Sequence, residues 1–122
     1  MRVLVIEDNA ILSLTLEVML KKLGFTKIRK AYTADEALNA IDDFKPDLLL
    51  VDINLDSDLS GIDVVKIAQD KHRFSVLYTT ANSDRYHREL AEHTPHEAYL
   101  IKPLSFRILS SAIEKVSLKM AV

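Results

Sequence analysis

Short apolar runs alternate with stretches of helical periodicity along the whole chain. Apolar runs without polar alternation are typical of strands that are buried on both faces of a parallel sheet. Between these runs, apolar residues recur every three or four positions, as they do in amphipathic helices. Strands are therefore predicted at residues 3–6, 27–31, 48–51, 75–79 and 98–101. Helices are predicted at residues 10–23, from a capping box at 33–36 to Pro46, and at 62–71, 83–93 and 105–119.

Two of the predicted helices differ in the number of apolar side chains that they can pack against the sheet. The helix at 83–93 is nearly all polar, and Tyr86 and Leu90 are its only sizeable anchors, so it is expected to be the least firmly packed. The helix at 105–119 is expected to bury one stripe, formed by Ile108, Leu109, Ala112, Ile113 and Val116.

Strands that alternate with helices predict an α/β fold, a doubly wound five-stranded parallel sheet with helices on both faces. The length of 122 residues fits one domain, spanning 1–122. A net charge of -2 gives no reason to expect direct binding to nucleic acid, and the lack of cysteine excludes disulfides. No signal peptide or membrane-length apolar run is present in the sequence, so a cytoplasmic protein without a membrane partner is expected.

Polar side chains that could bind a metal ion or take part in a reaction follow four of the predicted strands. They are Glu7, Asp8, Asp52, Thr80 and Lys102. Parallel strands align these ends at one edge of the sheet, where ligands bind in open α/β folds. Carboxylates this close together repel one another, and Mg²⁺ with its oxygen ligands relieves that repulsion. An amine and a hydroxyl nearby suit a phosphoryl group, with Asp52 as its acceptor.

Taken singly, these residues have ordinary explanations. Glu7 and Asp8 resemble a helix cap, Thr80 is a typical strand residue, and Lys102 is typical of a surface lysine. Their joint occurrence at successive strand ends favours a functional site.

Several segments together resemble the receiver domain of bacterial two-component response regulators, over essentially the whole chain. The matching pieces are residues 3–9, 46–52, Gly61, 80–81 and 99–103. The resemblance implies a flavodoxin-like fold with five helices and the strand order 2-1-3-4-5. It implies a phosphoacceptor switch rather than a classical enzyme, with self-catalysed phosphotransfer and autodephosphorylation only.

The resemblance also implies roles for individual residues. Asp52 would accept a phosphoryl group from a sensor histidine kinase or phosphotransfer protein, with Mg²⁺ as the cofactor. The metal ligands would be Glu7, Asp8, Asp52 and the backbone carbonyl of Asn54. The contacts to the phosphoryl group would come from Thr80, Ala81 and Lys102.

The same resemblance implies how the phosphoryl group is sensed. Thr80 and Tyr99 would form the switch, and the Lys102–Pro103 peptide bond would be cis. Helix 83–93, strand 98–101 and helix 105–119 would form the face that a downstream effector contacts, and a homodimer is also compatible with it.

Two segments depart from the usual pattern of this family. The spacing between Asp52 and Gly61 is longer than usual, and Asp56 replaces a proline, so the 56–60 loop is where a structural departure is most expected. The small pair usual before the last strand is absent, and residues 94–97 stand there.

Two other functions compete with a phosphorylated receiver. A binding module of the same fold that no longer uses phosphorylation is disfavoured by the complete set of acids, threonine and lysine. A phosphatase of the haloacid dehalogenase type is disfavoured because residues 52–56 lack the second acid and the threonine of that pattern. The four histidines are predicted to be solvated surface groups, at His72, His87, His93 and His96.

Overall fold

The computed structural model describes residues 1–55, 58–81 and 85–120, with side chains described except at 85–87 and 118–120. Within these residues the strands are β1 (Arg2–Ile6), β2 (Lys27–Ala31), β3 (Leu48–Asp52), β4 (Ser75–Thr80) and β5 (Ala98–Ile101). The helices there are α1 (Ala10–Lys22), α2 (Ala34–Phe44), α3 (Gly61–Ala68), α4 (Arg85–Glu92) and α5 (Phe106–Met120). All strand pairs are parallel, in the order β2-β1-β3-β4-β5. The predicted fold class and strand order are confirmed.

The central strand is β3, which pairs with β1 on one side and β4 on the other. Every residue of β3 is buried, including the terminal Asp52. Its unbroken apolar run follows from this position, because helices cover both faces of the strand.

The sheet separates two apolar cores. Leu49 and Val51 of β3 face the core that includes residues of α2, α3 and α4. Leu48 and Leu50 face the opposite core, which is shared with α1 and α5. Successive residues of a strand point to opposite faces of the sheet. Consecutive polar residues at a strand end therefore also point to opposite faces.

Side chains cap the helices that begin next to the strand ends. Asn9 Oδ1 accepts hydrogen bonds from the backbone N–H groups of Ile11 and Leu12, each at 3.0 Å. Ser60 and Asp63 form a reciprocal capping box at the start of α3. Capping of this kind contributes on the order of 1 kcal/mol per helix and fixes where each helix begins.

The predicted capping box at 33–36 is only half right. Thr33 Oγ1 accepts from the backbone N–H of Glu36 at 3.1 Å. Glu36 Oε2, however, accepts from the N–H of Tyr32 at 3.1 Å, one residue before the N-cap.

The prediction that Ile108 lies in the buried stripe of α5 is wrong. Its side chain is 44% exposed, whereas Leu109 is fully buried. The two neighbours are separated by about 100° around the helix. The stripe that faces the sheet consists of Leu109, Ala112, Ile113 and Val116, so Ile108 falls outside it.

Two of the four histidines are not the solvated groups that the sequence suggested. His72 Nε2 lies 2.7 Å from Asp42 Oδ1, a contact that joins the turn after α3 to α2. His96 Nδ1 lies 2.9 Å from the carbonyl oxygen of Thr94, and the centre of its ring lies 5.3 Å from that of Tyr78, with the two ring planes tilted by 56°. His93 is exposed as expected, and the side chain of His87 lies outside the described residues. No helix of the described ranges is long and apolar enough to cross a membrane.

Candidate functional site

Backbone hydrogen bonds continue past the ends of the strands and align the polar residues at one edge. The N–H of Glu7 donates to Ala31 at 3.0 Å, and the N–H of Lys102 donates to Thr80 at 2.7 Å. Asp52 is level with Thr79 on the neighbouring strand. The predicted gathering of these residues at the carboxyl ends of the strands is thus what the parallel register produces.

The carboxylates of Glu7, Asp8 and Asp52 form a compact cluster. One oxygen from each lies within 4.8 Å of the others. Glu7 is 1% exposed and Asp52 is 3% exposed, while Asp8 is half-buried. Three such oxygens on rigid strand ends, one of them more open to water than the others, suit a hard divalent cation that keeps several water ligands. The residues present therefore fit Mg²⁺.

Lys102 joins two of these acids. Its Nζ lies 2.6 Å from Glu7 Oε1 and 3.0 Å from Asp52 Oδ2. The contact with Glu7 is a close ion pair rather than a well-angled hydrogen bond, because Oε1 makes no hydrogen bond of good geometry among the described residues. The contact with Asp52 is a hydrogen bond in which the ammonium donates.

Burial and charge act in opposite directions on this group. Burial raises the pKa of Glu7, and Asp52 adds to that effect, while Lys102 and the N–H of Asn9 act to lower it. Burial alone would lower the pKa of Lys102, but its short ion pair with Glu7 and its hydrogen bond and ion pair with Asp52 outweigh that effect, so the net pKa is raised. Lys102 is therefore held as a cation beside the carboxylates.

Gly61 makes room for the backbone that carries Asp52. A Cβ atom on this residue would lie 2.2 Å from the carbonyl oxygen of Asp52 and 2.7 Å from Val51 Cγ1. The N–H of Gly61 also donates to the carbonyl of Ile53 at 2.9 Å. The start of α3 thus packs directly on the end of β3, which only glycine permits without a shift.

The side chain of Asn54 has a role that the sequence did not suggest. Its Nδ2 donates to Thr80 Oγ1 at 3.0 Å, and its backbone N–H donates to Asp52 Oδ1 at 3.0 Å. Thr80 is fully buried at the end of β4. The sequence predicts a backbone carbonyl of Asn54 as a metal ligand but no contact between its side chain and Thr80. An asparagine two residues after the acceptor was the available clue, but its partner across the strands cannot be inferred from spacing.

The remaining predicted residues lie on β5 or directly after the ends of β4 and β5. Ala81 is exposed directly after Thr80, and the Lys102–Pro103 peptide bond is cis. Tyr99 is half-buried on β5, and the guanidinium carbon of Arg88 on α4 lies 5.6 Å from the centre of its ring.

The loop where a departure was expected is described only in part. Asp56 and Ser57 lie outside the described residues. Asp58 is exposed and, with Leu59, lines a groove against Thr33 and Asp35 at the start of α2. Ser60 then caps α3, so the described part of this loop ends in an ordinary helix start.

Comparisons of the sequence with known proteins agree on one family. The model of the response regulator receiver domain matches residues 3–114. The transcriptional regulatory protein PdtaR of Mycobacterium tuberculosis is 34% identical over 113 residues, which is 93% of this chain and 55% of that protein. The chemotaxis protein CheY of Pseudomonas aeruginosa is 27% identical over 119 residues, which is 95% of both chains. The chain spans about half the length of the regulatory relatives PdtaR and PhoP, at 55% and 48%.

Solved structures give the same result. A two-component response regulator from Clostridium difficile superposes with a TM-score of 0.91 at 26% identity, covering 99% of this chain and 98% of that one. The signal receiver domain of a diguanylate cyclase from Desulfovibrio desulfuricans superposes with a TM-score of 0.87 at 27% identity, covering 96% and 93%. With the sequence match over residues 3–114, these similarities show that the chain belongs to the response regulator receiver domain family.

Proposed function

We propose that this receiver domain, spanning residues 1–122, is a phosphoacceptor switch in which Asp52 carries the phosphoryl group. The family acts in signalling rather than as classical enzymes. The observation that supports the proposal most directly is the position of Asp52. Its carboxylate lies at the buried end of β3, in the cluster with Glu7 and Asp8 and 3.0 Å from the Lys102 ammonium.

The reaction that we propose is phosphoryl transfer from a phosphohistidine. A carboxylate oxygen of Asp52 attacks phosphorus, a P–O bond forms, and the P–N bond breaks as its electron pair leaves with the imidazole. Lys102 stabilises negative charge on the acceptor and on the phosphoryl oxygens, as fixed cations do in phosphoryl transfer. The donor would be a sensor histidine kinase or a phosphotransfer protein.

Mg²⁺ is the cofactor that this site would use, as receiver domains generally do. The ligands would be carboxylate oxygens of Glu7, Asp8 and Asp52 with the backbone carbonyl of Asn54. When bound, the ion would offset the charge of the phosphoryl oxygens. The chain itself contributes the closely spaced acids and keeps their backbone rigid through the strand ends.

The output of the switch would be read on the face formed by α4, β5 and α5. The strand β5 and the helix α5 carry exposed apolar side chains at Ile101, Phe106 and Ile108, with exposed fractions of 45%, 42% and 44%. Arg88 and Tyr99 link α4 to β5. Apolar groups rimmed by charge are typical of surfaces that bind proteins, so an effector or an output domain would contact this face.

The test is to incubate the chain with Mg²⁺ and acetyl phosphate and to measure its intact mass. A single phosphoryl adduct is expected in the unaltered chain and is expected to be absent from Asp52→Asn. Asp43→Asn is the matched control, because Asp43 is an exposed carboxylate on α2 that pairs only with Arg29 among the described residues.

The opposite results would also be informative. A folded chain that forms no adduct would overturn the proposal and favour a receiver-like binding module. An adduct that survives in Asp52→Asn but not in Asp43→Asn would place the acceptor elsewhere. Multiple turnover on a phosphomonoester would favour a phosphatase.

A further inference from the structure

Asn54 connects the proposed acceptor to the buried hydroxyl of the neighbouring strand. Its backbone N–H holds Asp52 Oδ1 and its side-chain Nδ2 holds Thr80 Oγ1, both at 3.0 Å. Asn54 itself is exposed, whereas Thr80 is completely buried. A surface amide thus reaches inward to a residue that contributes nothing to the metal cluster.

We propose that Asn54 is a positioning residue, whose side-chain amide orients the Thr80 hydroxyl for the phosphoryl group on Asp52. The inference rests on the proposed function, which makes Thr80 a phosphoryl contact. It goes further by assigning the orientation of that contact to a second side chain, before any phosphoryl group is present.

The chemistry of a hydroxyl group explains why this bond matters. A threonine hydroxyl carries one proton and two acceptor lone pairs. When the Asn54 amide donates to Oγ1, the proton of that hydroxyl must point away from the amide. A hydroxyl that accepts one hydrogen bond is also polarised and becomes a stronger donor, as in other hydrogen-bonded chains.

The geometry of threonine adds a second reason. Its branched Cβ permits few side-chain rotamers, and the hydrogen bond to Asn54 favours the one observed. A contact that is already oriented requires less ordering when the phosphoryl group arrives. Asn54 would therefore speed the formation of the adduct through Thr80 and not by touching the phosphoryl group itself.

A double-mutant cycle tests this inference. Asn54→Leu keeps the shape of the side chain and the backbone groups but removes the amide, and Thr80→Val keeps the branched Cβ but removes the hydroxyl. The readout is the rate of adduct formation with Mg²⁺ and acetyl phosphate, followed by intact mass. Each single variant is expected to be slower by about two- to tenfold, the effect of one ordinary hydrogen bond.

The double variant decides whether the two side chains act as a unit. Its rate of adduct formation is expected to be no lower than that of the slower single variant. In a Thr80→Ser background, which keeps a hydroxyl, Asn54→Leu is again expected to lower the rate. If the two single effects multiply instead, Asn54 acts independently of Thr80 and the inference is overturned.

A measurement without phosphorylation separates this inference from the proposed function. The side-chain rotamer of Thr80 is measured by NMR in the unphosphorylated chain. Asn54→Leu is expected to redistribute the rotamers of Thr80 but not of Thr94, whose hydroxyl lies 2.9 Å from the carbonyl oxygen of Ala91. Unchanged Thr80 rotamers overturn the inference. Absence of an adduct in the unaltered chain overturns the proposed function alone.

Discussion

Single residues at this site are constrained by contacts that their neighbours in the sequence do not reveal. Gly61 is one of two glycines in the chain, and it is the one that lies against the backbone of Asp52. Tyr78 lies two residues before Thr80 on the same face of β4, and its hydroxyl lies 2.5 Å from Thr94 Oγ1 beyond the end of α4. Each of these contacts leads to a measurable prediction.

Gly61→Ala is expected to lower the free energy of unfolding by about 1–3 kcal/mol, the usual cost of forcing an extra methyl group into a packed site. The physical reason is the 2.2 Å approach to the carbonyl oxygen of Asp52, which must move to admit a Cβ. Urea denaturation measures the loss of stability, and isothermal titration measures the accompanying loss of Mg²⁺ affinity.

Gly24→Ala is the matched control for that substitution. Gly24 has a φ of 98° and nothing within 4 Å of an added Cβ. It should therefore lose stability through backbone strain while its Mg²⁺ affinity stays unchanged. Equal loss of Mg²⁺ affinity in both variants would contradict a local effect at Asp52.

Tyr78 provides a prediction about pH. Burial raises the pKa of its hydroxyl to about 12, and the bond to Thr94 only partly offsets this. Because the pKa is higher in the folded state than in the unfolded chain, the protonated form contributes stability that is fully present below pH 10. That stability is expected to fall, by on the order of 2 kcal/mol, as the pH rises from about 10 to about 12.

Tyr78→Phe removes the titrating group and serves as the comparison. The difference in unfolding free energy between the two proteins, measured in urea at several pH values, is expected to shrink as the pH rises above 10. A difference that does not depend on pH would show that Tyr78 titrates normally in the folded chain.

At the scale of elements, the end of α2 has a backbone conformation that is unusual for its sequence. Lys45 follows the helix with φ 52° and ψ 63°, the left-handed region that disfavours side chains other than glycine. Pro46 follows directly, so the helix cannot continue through it. The chain accepts this strain where it turns from α2 into β3.

Lys45→Gly is expected to raise the free energy of unfolding by about 0.5–1 kcal/mol. Relief of the left-handed strain, about 1–2 kcal/mol, exceeds the entropy that glycine adds to the unfolded chain. Chemical denaturation measures the change. Lys71→Gly, in the turn after α3 where φ is not positive, should instead be neutral or destabilising, and a gain there would undermine the explanation.

The sequence predicts an element well when its residue pattern has a single physical cause, such as burial on both faces of a strand. The apolar run of β3 leads directly to a strand that is buried along its whole length, and that prediction holds. Ile108 was misplaced because a helix can rotate by one residue without breaking its apolar period. The hydrogen bond from Asn54 to Thr80 could not be predicted, since it depends on the geometry of two side chains that lie 26 residues apart in the sequence.

At the scale of the whole molecule, the site draws on the ends of four strands, β1, β3, β4 and β5, so its occupancy should affect global stability. Mg²⁺ that binds only the folded chain is expected to stabilise it by about 1.4 kcal/mol for each tenfold excess over the dissociation constant. Thermal unfolding across a series of MgCl₂ concentrations measures this shift. Asp8→Asn should weaken it, and Asp43→Asn should leave it intact. An equal shift in all three proteins would indicate a general salt effect.

The two oxygens of Asp52 divide the molecule in a way that has a further consequence. Oδ2 meets Lys102, which borders α1, while Oδ1 meets the backbone of Asn54, whose amide leads to Thr80 on the side of α4. The two oxygens of one carboxylate thus make separate contacts, one toward the layer of α1 and α5 and one toward the layer of α2, α3 and α4. With Asp52 as the proposed phosphoacceptor, a substitution that removes one of these contacts is expected to leave the other in place, so that charge neutralisation and signal output would be separable.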